Sequence, residues 1–279
     1  MKAIKPFLFL CAAIYCFASC KKEVDMNLVQ KTVLENADIR QIKVGDAWEV
    51  NVIADSNTFV ELEYSAYLET YTKTKMEGTK LELGFTGNVH PVINSVYRAT
   101  VHTNKIERIE AEDAAQLTFA GHFSSTSDTL TIELDDASLC SGLRTDGKYT
   151  SISIDNVSKF IDFQINATNN EVSVKNASSC KGNFETRFHF VADLGTDSQL
   201  VTFNGSAPFG MIRLQDNCIL NMAQTEIEEM QINLSGASEA TINVTEQLTG
   251  SLTEASTLYY QGHPQIDVDC SNDSRLIPF

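Results

Sequence analysis

A serine recurs along the second half of the chain at an almost fixed interval, and such a row of hydroxyls could supply nucleophiles. The steps are 20 residues long except the last two, which are 18, and the eight positions are Ser138, Ser158, Ser178, Ser198, Cys218, Ser238, Ser256 and Ser274. A nucleophilic serine needs a base such as histidine within hydrogen-bond reach. None of the five histidines falls in register with this row. The row therefore predicts a structural ladder of inward side chains, which we call the serine ladder.

A second set of reactive groups is the carboxylates of the first two repeats, Glu133, Asp135, Asp136 and Asp155. Two carboxyls roughly 5–9 Å apart in different environments could hydrolyse a glycosidic bond, and carboxylates also bind Ca²⁺. Glycosidases usually surround such a pair with aromatic side chains that hold the sugar, whereas the aromatics here fall mostly at inward positions. We predict a solvated acidic face. A cation site and a carbohydrate-active enzyme remain alternatives.

Motifs for metals and cofactors are absent from the sequence. The histidines are not spaced as metal ligands, and neither Gly-x-Ser-x-Gly nor a glycine-rich phosphate loop occurs. We therefore predict no catalytic residue, no cofactor and no metal site.

The serine ladder belongs to a longer repeat that is apolar at alternate positions. Six residues before each ladder position stand Ile132, Ile152, Val172, Ala192, Ile212, Ile232, Gly250 and Val268. Four residues before stand Leu134, Ile154, Val174, Leu194, Leu214, Leu234, Leu252 and Cys270. Two residues before each ladder position stands mainly Asn, Asp or Gly, which tolerate a sharp bend. A period near 20 residues with this alternation predicts an all-β fold, a parallel β-helix or β-solenoid, over residues 106–279.

The preceding residues carry weaker signals. Alternating runs within residues 36–105 predict a β section that forms either the first coils or a cap on the solenoid. Residues 20–35 are polar with no strong period and are predicted to be a tether. Within the repeat, Leu143, Phe163 and Phe203 share a column and are expected to fill the core.

Four cysteines follow Cys20, at Cys140, Cys180, Cys218 and Cys270. Cys140 and Cys180 share a column but are separated by one coil. Because coils stack about 4.8 Å apart, their Cα atoms should be about 9.6 Å apart, beyond the reach of a disulfide. The other two lie in different columns. We predict four buried free thiols.

The first 19 residues have the form of a cleaved signal peptide. Lys2 and Lys5 precede a short apolar run that ends in Phe-Ala-Ser-Cys at residues 17–20. The run is too short to span a bilayer of about 30 Å, and its end resembles a bacterial lipobox. We predict acylation of Cys20 and attachment to the outer membrane, where the protein could be exposed at the cell surface; an ordinary signal peptide is the alternative.

The chain is strongly acidic. Its formal charge is −16, and loss of residues 1–19 removes two lysines and no acid, which leaves −18. Such a surface repels nucleic acid and anionic bilayers, so nucleic acid is excluded as a partner and membrane contact is expected only through the lipid.

Two stretches resemble a known family. Residues 39–50, IRQIKVGDAWEV, are similar to the first two strands of the head GIN domain putative auto-transporter adhesins of Bacteroidota. The end of the chain is similar as well, in LSGAS at 234–238, GSL at 250–252, ASTLYYQGHP at 255–264 and IDV at 266–268. The tripeptide Gly-Ile-Asn itself does not occur, and residues 86–130 match poorly, which leaves room for a ligand loop specific to this chain.

The resemblance extends over residues 36–279 and implies a right-handed β-solenoid without catalytic residues. Together with the lipobox, it leads us to expect a non-enzymatic cell-envelope protein with a glycan- or protein-binding solenoid face. A periplasm-facing scaffold that binds a partner protein is the alternative.

Overall fold

The computed structural model describes residues 24–125 and 127–279. Within them lie one 3₁₀ turn, at Ala66–Leu68, and 21 strands. The strands before the long repeats are β1 Leu28–Val33, β2 Gln41–Val44, β3 Glu49–Ile53, β4 Phe59–Ser65, β5 Thr72–Glu77, β6 Lys80–Phe85, β7 Tyr97–His102, β8 Arg108–Ala111, β9 Gln116–Ala120 and β10 Phe123–Ser124. The rest are β11 Thr129–Leu134, β12 Leu139–Ser141, β13 Arg144–Ile154, β14 Lys159–Val174, β15 Ser179–Leu194, β16 Gln199–Leu214, β17 Ile219–Leu234, β18 Glu239–Leu252, β19 Thr257–Gln261, β20 Gln265–Cys270 and β21 Arg275–Pro278.

Apart from the coil of β6 and β7, each coil turns at a two-residue corner in the left-handed region. Asp136 and Ala137, for example, have φ of +50° and +63°. Asn, Asp and Gly tolerate this geometry best, which explains their enrichment at the corner. The Ala137 N–H donates to the carbonyl of Asn156 in the next coil at 2.8 Å, so the backbone ladder continues through the bend. Two β-branched residues, which adopt this geometry least readily, are also held at corners: Val157 at φ +66° and Thr196 at φ +51°.

The corner separates two parallel faces. Face A contains the strand segments that end at the corner, such as β8, β11 and the second halves of β13 to β18. Face B contains those that begin after it, such as β9, β12 and the first halves of β14 to β18. In face A, Ile132 stacks on Ile152 and Val172 on Ala192. These columns are buried, so the predicted β-solenoid with coils of about 20 residues is confirmed.

The N-terminal end combines a displaced coil with a cap. β2 and β3 form a coil that is inserted between the β6–β7 coil and the β8–β9 coil. Outside β6 and β7 the sheet continues with antiparallel strands, β5 on β6 and β4 on β7, followed by β1 on β4. These antiparallel strands pair with β6 and β7 over their full length and take the place of a further coil, which shields the core at this end.

The predicted tether at residues 20–35 is wrong in part, because β1 occupies residues 28–33 within it. Only Val29 and Val33 of this strand pack against the core. Its other side chains are polar or exposed, and Gln30 donates to Glu63 on the neighbouring strand. An edge strand with so few buried positions produces no strong alternation.

The C-terminal end of the solenoid is less covered than the N-terminal end, and the prediction that all four cysteines are buried is wrong for one of them. Cys140, Cys180 and Cys218 are free and buried as predicted, but Cys270 is free and exposed. It lies on β20, whose only neighbouring strand among the described residues is β18. The inward column therefore continues to this position, but no described coil covers it.

Phe203 is also placed differently from the prediction. Leu143 and Phe163 are buried, whereas Phe203 is 58% exposed. Phe163 pairs with Gly182, and Gly182 pairs with Thr202. A register irregularity after residue 161 thus puts Thr202 into the inward column and turns Phe203 outward.

In residues 24–125 and 127–279 no helix has the length and apolar character needed to cross a membrane.

Candidate functional site

The serine ladder lies inside the corner, away from any surface that a ligand could reach. Seven of its side chains are at most 1% exposed, and Ser274 on the last coil is partly exposed. The hydroxyl of Ser158 accepts from the Ser138 N–H at 3.1 Å, and that of Ser178 accepts from the Ser158 N–H at 3.2 Å. These two hydroxyls therefore each satisfy a buried backbone donor, worth about 0.5–1.5 kcal/mol. Their positions support packing and not nucleophilic chemistry.

Three of the four carboxylates of the predicted acidic face, those of Glu133, Asp135 and Asp155, form bonds between neighbouring coils. Asp135 accepts from the Asn156 side-chain amide at 2.7 Å, and Asp155 from the Asn176 amide at 2.6 Å. Glu133 pairs with Arg108 at 2.7 Å. A shallow depression of about 340 Å³ lies beside them. It is lined by backbone and charged side chains and contains no aromatic residue against which a sugar could stack.

A metal site has no support in the described part of the chain, where no group of three or more His, Cys, Asp or Glu could hold an ion. His102 contacts Asp55 at 3.2 Å, while His122 contacts Asp146 at 3.0 Å. Each histidine thus contacts an acidic residue of its own, and the two do not share a carboxylate that could help to bind a metal ion. Cys20, the predicted acylation site, lies outside the described residues.

The most distinctive surface is an apolar group on the outside of face A, which we call the aromatic patch. It consists of Phe188, His189, Val191, Phe209 and Met211. Phe188 is 48% exposed and Met211 51% exposed. His189 pairs with Phe209 across the β15–β16 ladder, and Val191 with Met211, so the four side chains form two adjacent outward columns.

Ring contacts hold the aromatic patch together. Phe188 lies at the bend before face A, and its ring centroid is 4.1 Å from that of His189 and 5.5 Å from that of Phe209. The His189 and Phe209 rings are 5.4 Å apart. Edge and tilted contacts of this kind are the favoured aromatic geometries and restrict the rings. The patch is thus a preformed surface and not a set of independent side chains.

Polar groups continue both columns in the next two coils. Phe209 pairs with Glu229, which pairs with Gln247, and Met211 pairs with Gln231, which pairs with Thr249. A groove of about 310 Å³ runs from the rings to these groups. A second groove, of about 270 Å³, shares Val191 and Met211 and reaches Asp193 and Arg213. An apolar floor with a few convergent amides and carboxylates is the usual composition of a ligand site.

The aromatic patch was not predicted from the sequence, for a definable reason. In the run Phe188 to Ala192, apolar residues stand at both inward and outward positions, so the alternation that marks an outer face is lost. The sequence signal that could have revealed the patch is this loss of apolar–polar alternation within an otherwise regular repeat.

The fold has relatives among solved structures. An adhesin from Parabacteroides distasonis, described as putative, is 14% identical, with a TM-score of 0.67 over 91% of this chain and 98% of that chain. A second protein from the same species, a "putative lipid binding protein", is 12% identical, with a TM-score of 0.59 over 92% and 98%. An adhesin from Parabacteroides merdae, also described as putative, is 13% identical, with a TM-score of 0.56 over 91% and 96%. At these identities the likeness shows the fold alone.

No match was found among curated proteins. The family model described as "putative auto-transporter adhesin, head GIN domain" matches residues 38–264, which is most of the chain. The inserted first coil, every corner except the last and the coils that carry the aromatic patch lie inside this match. The chain belongs to the head GIN domain family of putative auto-transporter adhesins.

Proposed function

We propose that this is a non-enzymatic, lipid-anchored cell-envelope protein that binds a neutral glycan on its aromatic patch, in the manner of an adhesin. The observation that carries the proposal is the patch itself. It exposes aromatic and thioether surface in the middle of a sheet whose neighbouring outward positions are polar. Exposed apolar clusters with a polar rim mark binding sites.

The chemistry of the patch favours a sugar. A pyranose ring has an apolar C–H face that can cover the Phe209 ring, while its hydroxyls need donors and acceptors at the edge. Gln231, Gln247 and Glu229 supply both kinds of group along the same groove. The rings are already held by one another, so little side-chain freedom is lost on binding.

Charge favours a neutral ligand over an acidic one. Glu171 is paired with Val191 on one side of the patch, and Glu229 with Phe209 on the other. With a formal charge of −16 over the whole chain, an anionic glycan would be repelled as it approached.

Attachment at Cys20 would place this face in the envelope. The lipobox-like residues 17–20 support acylation, and Lys21 in place of an aspartate supports the outer membrane. Labelling intact cells with a membrane-impermeant biotin reagent tests the orientation. Labelling supports surface display, whereas labelling only after lysis would favour a periplasmic scaffold that binds a partner protein.

Glycan binding is tested with two matched variants of the full chain. Phe209→Ala removes a ring from the patch, and Phe203→Ala removes an exposed ring outside it. We expect the first to weaken binding to an array of neutral glycans about tenfold or more, roughly 1.4 kcal/mol, and the second to leave it unchanged. Equal affinity of both variants and the parent chain would refute the assignment of the patch, and release of reducing ends would refute the non-enzymatic role.

A further inference from the structure

We propose that the capped end of the solenoid rests on the lipid bilayer through an apolar corner beside the emerging N-terminus. The N-terminal corner, as we call it, consists of Met26, Leu28, Tyr71, Val92 and Ile93. Their exposed fractions are 37%, 54%, 44%, 43% and 88%. The partner is the surface of the leaflet that holds the acyl chains of Cys20, so the inference rests on the anchor in the proposed function.

Backbone and side-chain bonds join the three segments of the N-terminal corner into one surface. The N–H groups of Ala66 and Tyr67 donate to the carbonyls of Asn27 and Asp25, at 2.8 and 3.1 Å. The Tyr67 hydroxyl in turn accepts from the Val92 N–H at 2.9 Å and bonds to the Ser95 hydroxyl. Tyr67 therefore clamps the loop of residues 86–96 against the first described residues of the chain.

Further backbone bonds connect the remaining members of the corner to the same loop. Leu28 pairs with Ser65, whose N–H donates to the carbonyl of Val96 at 2.9 Å. Tyr71 accepts from the Thr86 N–H through its carbonyl at 2.7 Å. The loop tip is closed by a bond from the Ser95 N–H to the Val92 carbonyl at 3.1 Å, which presents Val92 and Ile93 at the apex.

The loop has the composition expected at a bilayer surface. Residues 86–96 contain no Asp, Glu, Lys or Arg, although 21% of the whole chain is charged. A stretch of this length with average composition would hold about two charges. In a protein of formal charge −16, the absence of carboxylates from the most exposed apolar tip removes the repulsion that would keep it from a headgroup layer.

Chain length brings this surface to the membrane. Five residue steps separate Cys20 from Asp25, whose carbonyl is bonded to Tyr67. An extended chain covers at most about 3.6 Å per residue, so the two Cα atoms lie within about 18 Å of each other. With acyl chains inserted in the hydrocarbon layer, a tether this short holds the corner close to the headgroups and concentrates its apolar side chains there.

The inference is tested by placing a reporter at the apex. The full chain, produced in cells that acylate lipoproteins, is mixed with phosphatidylethanolamine–phosphatidylglycerol vesicles whose acyl chains carry bromine, a quencher of tryptophan emission. Ile93→Trp reports on the corner. Phe203→Trp is the control, since it replaces an exposed ring six strand spacings away along face B, about 29 Å. Trp48 is fully buried and contributes the same background to both variants.

We expect the emission of the Ile93→Trp variant to shift to shorter wavelength and to be largely quenched in brominated vesicles, while the Phe203→Trp variant keeps its emission. Chains that float with the vesicles but show equal emission in both variants would overturn the inference and leave the anchor intact. Chains that do not float would overturn the anchor and the inference together. Neither outcome bears on the glycan assay, which separates the two proposals.

Discussion

Gly250→Ala is expected to destabilise the protein by about 2–5 kcal/mol. Gly250 occupies an inward column that is otherwise Ile, Val or Ala, and its φ is +135°, which L-residues with a side chain rarely adopt. An added Cβ would overlap the Ile232 carbonyl oxygen and lie 2.8 Å from the carbonyl carbon. Strain at such a φ costs about 1–3 kcal/mol. Moving the backbone apart breaks one or two ladder hydrogen bonds, each worth about 1 kcal/mol.

The measurement is the free energy of unfolding of the full chain in urea, with Gly147→Ala as the matched control. Gly147 lies in β13, its φ is not in the left-handed region, and nothing lies within 4 Å of an added Cβ. The control should change stability by no more than about 0.5–1 kcal/mol.

Because solenoid coils interact mainly with their neighbours, the loss at Gly250 could appear as a separate early transition of the C-terminal coils. Two spectroscopic probes are therefore compared, since transitions that no longer coincide would reveal it. If Gly250→Ala and Gly147→Ala unfold at the same urea concentration, the close approach of β17 and β18 at Ile232 is not a constraint and the reasoning fails.

Two further predictions concern the core and the corners. Burial raises the pKa of the Cys140 and Cys180 thiols, so these groups stay protonated in the folded protein while they ionise at about pH 8.5 in the unfolded chain. Stability is therefore retained below about pH 8.5 and should fall above it by about 1.4 kcal/mol per pH unit for each thiol, as measured by urea unfolding from about pH 7.5 to 9.5. A Cys140→Ala variant is the control and should lose stability less steeply, because one of the two thiols is gone. A flat profile of the parent chain would contradict the burial. Val157→Asn should stabilise the protein by about 1 kcal/mol in the same assay, because asparagine tolerates a φ of +66° better than valine and already occupies the equivalent corner position at Asn217. A loss of stability would show that the 57% exposed valine contributes more by packing than it costs in backbone strain.

Much of the fold follows from the sequence because each coil repeats the same physical requirements. Ile132 and Leu134 must be apolar since the columns above and below them are apolar, and Asp136 must tolerate positive φ since the chain bends there. Each repeat therefore confirms the register of its neighbours. The ladder positions 138–256 are buried for this reason.

The parts that could not be predicted depend on contacts between distant or isolated segments. The insertion of β2 and β3 between β6–β7 and β8–β9 is a non-local choice that a 20-residue period does not encode. β1 buries only two side chains, which is too few for a period. Cys270 has the inward position of its column, but its exposure is decided by the absence of a described coil beyond β20.

The aromatic patch and the N-terminal corner share one property that explains why pattern analysis does not find them. Both place apolar side chains where a solenoid needs none, so they add to the hydrophobic signal without adding to the periodic one. In the structure they lie six or seven strand spacings apart along face A, from β6 at the capped end to β15 and β16. At about 4.8 Å per spacing this is roughly 30 Å along the solenoid axis. The proposed membrane contact and the proposed ligand site therefore use different surfaces, and a corner seated in the headgroups would leave the patch free for a ligand in solution.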